Sequence, residues 1–96
     1  MTFEWDEEKN LDNMEKHNIS FEKAQEAFFD SKRIIVIDKK HSKKEKRFFC
    51  IGNDGDGTVT VRFTIRNKNI RIIGAGYWRE GREKYEQKEN KLHKST

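Results

Sequence analysis

Residues 58–66 read Thr-Val-Thr-Val-Arg-Phe-Thr-Ile-Arg, an unbroken alternation of apolar and polar side chains. A period of two is typical of a β-strand that buries one face and turns the other toward water or a ligand. Turn-forming residues flank this stretch, 53–57 before it and 67–69 after it, and they indicate short hairpins to neighbouring strands. We therefore predict that residues 58–66 form the central strand of an antiparallel sheet.

The segments around this strand are also rich in β-branched and aromatic residues. Residues 33–37, 47–51 and 70–77 have the composition of strands. We expect the apolar face of the sheet, which contacts the helices, to consist of Val59, Val61, Phe63, Ile65, Ile70 and Ile72. We expect the opposite, polar face to present Thr60, Arg62, Thr64, Arg66, Arg71 and Tyr77.

Helices are predicted both before and after the strands along the chain. Asp6 suits the N-cap of a helix over 7–17, and Asn18 suits its left-handed C-cap. Ser20 then caps a second helix, in which Phe21, Ala24, Ala27 and Phe28 recur at helical spacing.

Beyond the strands, residues 79–91 form a third helix with few apolar residues, docked loosely or waiting for a partner. The fold class is thus α+β, with two N-terminal helices packed on a small antiparallel meander and a C-terminal helix. We predict a single domain over 1–96, in which residues 86–96 are a frayed or partner-docked tail.

Composition excludes several functional classes. Charged residues make up 40% of the 96 and hydrophobic residues 32%, which is typical of a small domain with a modest core. The single cysteine, Cys50, excludes an internal disulfide, and no Cys/His spacing predicts a metal site, so we expect no cofactor. The longest apolar run, Ile34–Ile37, is far too short for a membrane span, and the acidic start is no secretory signal. We expect a cytoplasmic protein.

Charge is distributed unevenly along the chain. Residues 1–31 carry a net charge of −6, residues 32–47 carry +6, and residues 48–96 add +4. Such polarity suits binding to a phosphate backbone or to an acidic protein, although a solvated surface alone would also explain it.

An exposed cationic sheet face has most of what RNA cleavage through internal 2′-hydroxyl attack requires. Arg66 and Arg71 could hold phosphate, and His41 could transfer protons near neutral pH. We expect RNA contacts from Arg62 and from three aromatic side chains that could stack on unpaired bases, Tyr77, Trp78 and Tyr85. The alternative is that the arginines only solubilise the sheet and the aromatic residues cover its end.

Five separated blocks of the sequence resemble the BrnT toxins of bacterial type II toxin–antitoxin modules. They are Phe3-Glu4-Trp5-Asp6-Glu7-x-Lys9, Lys16-His17-Asn18-Ile19-Ser20-Phe21, Ala24…Ala27-x-x-Asp30, His41-Ser42-x-x-Glu45-x-Arg47 and Arg71-Ile72-Ile73. The resemblance covers residues 3 to about 85. It implies a fold like that of RelE/ParE-type toxins, a ribonuclease activity, and neutralisation by a BrnA-type ribbon-helix-helix antitoxin, through which the complex would approach operator DNA.

The same resemblance implies a set of catalytic residues, namely His41, Arg47, Arg66 and Arg71. Where many members have Ile-Ser-Ala-Arg, this chain has Ile73-Gly74-Ala75-Gly76, and the usual arginine is missing. Arg79, three residues further on, is the candidate to supply that charge. The competing hypothesis is a non-catalytic basic module that docks an acidic protein, or operator DNA as part of a complex.

Overall fold

The computed structural model describes the backbone of residues 2–94 and the side chains of residues 2–90. The described residues form a five-stranded sheet in the order β1-β5-β4-β3-β2. Strands β2 to β5 are antiparallel neighbours, and β1 pairs in parallel with β5. The strands are β1 (Phe3–Trp5), β2 (Ile34–Ile37), β3 (Arg47–Asn53), β4 (Thr58–Arg66) and β5 (Asn69–Gly76).

One full helix precedes the antiparallel strands, α1 (Glu7–His17), and the predicted caps are confirmed. Asp6 accepts hydrogen bonds from the first turn, and Asn18 ends the helix at φ 56°. The prediction of a second full N-terminal helix is wrong. Its start at Ser20 is confirmed, but α2 (Phe21–Ala24) is one turn long and continues as a 3₁₀ segment over Gln25–Phe29.

The tight packing of Ala27 on β3 accompanies this change of helix type. A Cβ atom at Gly52 would lie 2.6 Å from the carbonyl oxygen of Ala27, so the two backbones nearly touch. Such an approach is tolerated only because Gly52 has no side chain. Helical spacing in the sequence contains no information about this contact.

The prediction of a simple meander is also incomplete, because β1 adds a parallel strand at one edge. Phe3 pairs with Ile70 and Trp5 with Ile72. Three residues give almost no periodic signal, and their partners lie more than 60 residues away in sequence. A parallel edge of this kind is specified by tertiary packing, with Trp5 stacked edge-on against Phe21.

The core lies between the sheet and the helices α1 and α2, and we call this side of the sheet the core face. Val59, Val61 and Phe63 are buried there as predicted, together with Ile70 and Ile72. Ile65 contradicts the prediction, since it is 49% exposed. It lies at the end of β4 and lines an open apolar groove with Phe29 rather than packing in the core.

The opposite side, the polar face, is partly covered by α3 (Arg79–Lys94). A Cβ atom at Gly81 would contact the Thr60 hydroxyl, so the helix backbone lies directly on β4. Thr60 is therefore buried, at 7% exposure, and Thr64 is buried at 1% among the neighbouring strands and the Lys46 carbonyl, although parity predicted both on an open face.

The C-terminal helix is docked by more than the weak apolar contacts expected from its sequence. The Tyr85 hydroxyl donates to Asp30 Oδ2 at 2.6 Å, and the Trp78 ring meets His17 edge-on at 5.1 Å. The backbone is helical through residue 94, so residues 86–94 extend α3; a docking partner for them stays a prediction. Of that expected tail, residues 95–96 lie outside the described residues, as does the side chain of Leu92. Across the residues that the structure describes, no helix combines the length and apolarity needed to cross a membrane.

Candidate active site and nucleic-acid interface

Three arginines meet on the polar face at the end that α3 leaves uncovered. Arg47 on β3 lies opposite Thr64 on β4, which in turn lies opposite Arg71 on β5. Directly paired residues of antiparallel strands share a face, so this row places one cation on each side of Thr64. Arg66, two residues beyond Thr64, extends the same face to the end of β4. We call this region, the three arginines with the loop 38–46, the cationic end.

The loop and the strands enclose an open groove of about 640 Å³ at the cationic end. It is lined by Lys40, His41, Lys43, Lys44, Glu45, Arg47 and Arg66. The structure thus brings three of the predicted catalytic residues to one groove. Arg71 does not line this groove but lies in the same row as Arg47, two strands away.

His41 is oriented by a buried carboxylate. Its Nδ1 lies 2.9 Å from Oδ2 of Asp38, a residue that is only 5% exposed. The Ser42 hydroxyl fixes this turn, because it donates to the Asp38 carbonyl at 2.6 Å and accepts from the Arg47 backbone N–H at 3.0 Å. With Nδ1 donating to Asp38, Nε2 is the ring nitrogen left to exchange a proton with a ligand.

Arg66 and Glu45 form a two-point ion pair across the groove. The distances are 3.2 Å from Nε to Oε2 and 2.9 Å from Nη2 to Oε1. Hydrogen bonding from Arg66 lowers the pKa of Glu45, and Arg47 and Arg71 act in the same direction. The pair orients the guanidinium plane at the groove and occupies its Nε–Nη2 edge, so a phosphate would bind the other edge or displace Glu45.

Arg71 is positioned by the N-terminal strand. Its Nη1 donates to Glu4 Oε2 at 3.2 Å, and the two residues are register partners between β5 and β1. The edge strand absent from the sequence prediction therefore holds one of the predicted phosphate ligands.

The remaining predicted site residues lie elsewhere. β5 runs away from the cationic end, and Gly76 pairs with Thr60, so Arg79 follows about 20 Å from Arg66 along the strand direction. Trp78, two residues after Gly76, lies at this distant end, and Arg62 lies between the two ends of β4. Both line a cleft beside α3. The structure does not bring Arg79 to the groove.

Two of the aromatic residues predicted to stack on RNA bases have hydroxyls held by carboxylates. Burial and the hydrogen bond to Asp54 raise the pKa of Tyr77 to about 12. Burial and the bond to Asp30 likewise raise the pKa of Tyr85. Both hydroxyls stay protonated and act as donors that hold loops in place.

Sequence reasoning overlooked Asp38 and Glu45 as site residues. Glu45 stood in one of the resembling blocks, and Asp38 is three residues before His41, a spacing that one helical turn closes. A 3₁₀ turn over Lys39–His41 closes that spacing here. Within the described part of the chain, no group of three or more His, Cys, Asp or Glu side chains is arranged to hold a metal ion.

One protein family matches most of the chain. The model of the family described as ribonuclease toxin, BrnT, of type II toxin–antitoxin system matches residues 5–81, well over half of the chain. No match was found among curated proteins.

Proposed function

The chain belongs to the BrnT family, ribonuclease toxins of type II toxin–antitoxin systems, and we propose that it cleaves RNA at its cationic end without a metal ion. The observation that carries this proposal is the Asp38–His41 pair, which borders the same groove as Arg47 and Arg66. This arrangement combines a proton-transfer group with preorganised cations.

In the proposed reaction, the 2′-hydroxyl of one nucleotide attacks the adjacent phosphorus. A bond forms between the 2′-oxygen and phosphorus, and the bond from phosphorus to the 5′-oxygen breaks. His41 Nε2 accepts the 2′-hydroxyl proton and returns a proton to the departing 5′-oxygen. The products are a 2′,3′-cyclic phosphate and a free 5′-hydroxyl, and no water is consumed.

The arginines stabilise the charge that develops on the phosphorane oxygens. Arg66 presents a planar fork already fixed by Glu45, and Arg47 and Arg71 flank the same strand row. Charges held in place before the reaction need no reorganisation as the transition state forms.

The family implies an antitoxin partner, and we propose that it is a BrnA-type ribbon-helix-helix protein. Besides its charge, the chain exposes an apolar groove of about 370 Å³ in which Phe29 is 75% exposed. Exposed apolar patches of this kind commonly mark protein contacts. Operator DNA would be bound only through the complex, and both proteins would act in the cytoplasm.

The second candidate function is a non-catalytic binding module. It is favoured by the ion pairs Arg66–Glu45 and Arg71–Glu4, because a phosphate must compete with these carboxylates. Such a module would bind an acidic partner through the lysines of loop 38–46 and cleave nothing.

The test is cleavage of a defined RNA in excess EDTA, with the products analysed by mass spectrometry. We expect a 2′,3′-cyclic phosphate terminus and no cleavage of the fully 2′-O-methylated RNA. We also expect the antitoxin to inhibit the cleavage. Cleavage of the methylated RNA, or an absolute need for Mg²⁺, would overturn the mechanism. Binding without any cleavage would favour the docking module.

A further inference from the structure

The core face is left open at one end, beyond the point where the 3₁₀ segment stops at Phe29. The apolar groove of about 370 Å³ lies there. It crosses the whole sheet, because all five strands contribute to its lining, through Phe3, Ile35, Phe48, Phe63, Ile65 and Ile70. The groove is thus a stretch of core face that α1 and α2 do not cover.

The apolar side chains of this groove are unusually accessible. Phe29, Ile35 and Ile65 all line it, and about half or more of each is exposed. Single exposed apolar residues are ordinary on protein surfaces, but several that converge in one groove mark a contact with another molecule.

The pairing of the strands decides the conformation of the occupant. Strands β3, β4 and β5 each have a neighbour on both sides, so the floor of the groove offers no free main-chain groups. A segment buried on this floor must therefore satisfy its own backbone hydrogen bonds, as an α-helix does. Five strands span about 19 Å, a length that a helix of about 13 residues matches.

The charges around the groove decide the chemistry of the occupant. Arg33 lines it, and among the described residues no carboxylate does. Lys46 and Lys68 are exposed at the same end of the sheet, just before β3 and in the turn after β4. A second copy would bring its own 32–47 segment, with a net charge of +6, against this one and be repelled. An acidic partner would be attracted.

The groove lies directly behind the catalytic residues. Phe48 follows Arg47 in β3, and Ile65 precedes Arg66 in β4. Successive side chains of a strand point to opposite faces, so the apolar groove and the cationic end are the two faces of the same strand ends. A chain that leaves the groove past the turn at 67–68 reaches Arg66 on the other face.

We propose that the groove docks an acidic amphipathic helix of the antitoxin, on the face of the sheet opposite the catalytic residues. The helix places its apolar side chains in the groove and directs an adjoining acidic segment around the β4–β5 turn to Arg66. There the segment competes with phosphate. The proposal rests on the proposed function for the identity of the partner.

Direct binding of the purified BrnA-type antitoxin, measured by calorimetry, tests the groove without relying on RNA cleavage. Phe29→Ser and Ile35→Thr each remove exposed apolar surface. Each should weaken binding about tenfold or more, as the loss of a central apolar anchor does, and change the melting temperature little.

Two control variants remove equally exposed apolar surface outside the groove. Ile37→Thr is matched to Ile35→Thr, because both residues lie on the same face of β2 at 51% and 50% exposure, and Ile37 does not line the groove. Leu11→Ser, on α1, is the control for Phe29→Ser. Both should bind the antitoxin within about twofold of the parent protein.

Charge variants test the acidic character of the partner. Arg33→Glu should slow association several-fold at low salt, and the difference should shrink as salt is added. Arg82→Glu, on α3, is the control. Arg66→Ala should weaken binding about twofold to fivefold, because it removes the contact on the far face. Equal association rates for the two charge reversals, or parental affinity of Arg66→Ala, would overturn the acidic segment.

The docking site is overturned if the parent does not bind the antitoxin, or if Phe29→Ser and Ile35→Thr bind it like the parent. RNA cleavage that persists in those cases would leave the ribonuclease standing. Equal losses from Ile35→Thr and Ile37→Thr, with Phe29→Ser unaffected, would replace the helix by a strand added at the edge of β2.

A dimer of the toxin alone that Phe29→Ser dissociates, measured by sedimentation, would assign the groove to a second copy and also overturn the proposal. Conversely, groove-dependent binding of the antitoxin to a parent protein that cleaves no RNA would support the docking site and refute the enzyme.

Discussion

The two ends of the polar face place the same residue type, a threonine of β4, in different surroundings. At the closed end, α3 covers Thr60, whose hydroxyl has no partner. At the cationic end, Thr64 is buried just as deeply, yet its hydroxyl donates to the Lys46 carbonyl at 2.7 Å, and charged side chains surround it. Position along β4 therefore decides the surroundings of each threonine, because side-chain type and parity are the same at both ends.

The largest expected effect tests the cationic end as a catalytic site. His41→Gln should reduce RNA cleavage by about 10²–10⁴-fold, because it removes the proton-transfer group. Asp38→Asn should reduce it less, since the imidazole remains but loses its orienting carboxylate. Single-turnover cleavage measures the loss of rate for both variants, and thermal melting shows whether either variant has lost stability. A His41→Gln protein that cleaves at the parental rate would move the chemistry to another part of the face.

Arg66→Ala should cost about 10²–10³ in cleavage rate, as the loss of one preorganised charge typically does. Its ion pair with Glu45 is exposed, so stability should change by less than about 1 kcal/mol. Arg66→Lys should recover only part of the rate, because an ammonium cannot form the two-point contact. Arg82→Ala, which removes an exposed arginine of α3, is the control and should change neither quantity. Normal cleavage by Arg66→Ala would mean that the arginine only solubilises the sheet.

At the closed end, where α3 covers Thr60, we expect substitutions to change the stability of the fold and not the rate of RNA cleavage. Gly81→Ala places a methyl group against the Thr60 hydroxyl and should destabilise the fold by about 1–3 kcal/mol, partly offset by better helix propensity. The double variant with Thr60→Ala should recover stability, because the obstructing side chain is shortened. Chemical denaturation of the four proteins of this cycle measures the coupling. Additive losses would show that α3 does not rest on Thr60.

The smallest expected effect concerns Tyr85→Phe, which removes the hydrogen bond to Asp30 and should cost about 1 kcal/mol at neutral pH. Burial alone would raise the pKa of Asp30, but the bonds from Tyr85, the Asn53 backbone and the Lys32 backbone outweigh it and lower that pKa below 3.8. A lowered folded-state pKa contributes stability above the unfolded value, and this contribution is lost as the pH falls. The difference between the parent and Tyr85→Phe should therefore shrink below about pH 4. A difference that is constant from pH 7 to pH 3 would contradict this role for Asp30.

Local signals predicted much of this fold correctly. The caps of α1 at Asp6 and Asn18 and the strand over 58–66 depend on short-range chemistry, and the structure confirms them. The features that the sequence did not predict depend on long-range contacts. The parallel strand β1, the 3₁₀ segment packed on Gly52 and the burial of Thr60 under Gly81 all arise from contacts between distant residues.

The candidate site divides in the same way. Hairpin register brings Arg47, Arg66 and Arg71 to one end of the sheet, because the starts of β3 and β5 both lie beside the end of β4. Arg79 was placed by counting along the sequence, and the direction of β5 separates it from the groove. The roles of all these residues stay predictions until cleavage is measured.

The N-terminal strand has a consequence for the order in which the molecule can be completed during synthesis. β1 leaves the ribosome before its partner β5, which begins only at Asn69, and the Glu4–Arg71 contact spans 67 residues. Contacts with such separation form late, after most of the chain is available. The row of Arg47, Thr64 and Arg71 therefore cannot be assembled on a nascent chain that has not yet released β5. A truncated translation product that ends before Asn69 would lack Arg71 and its contact with Glu4, and we expect it to be inactive as a ribonuclease.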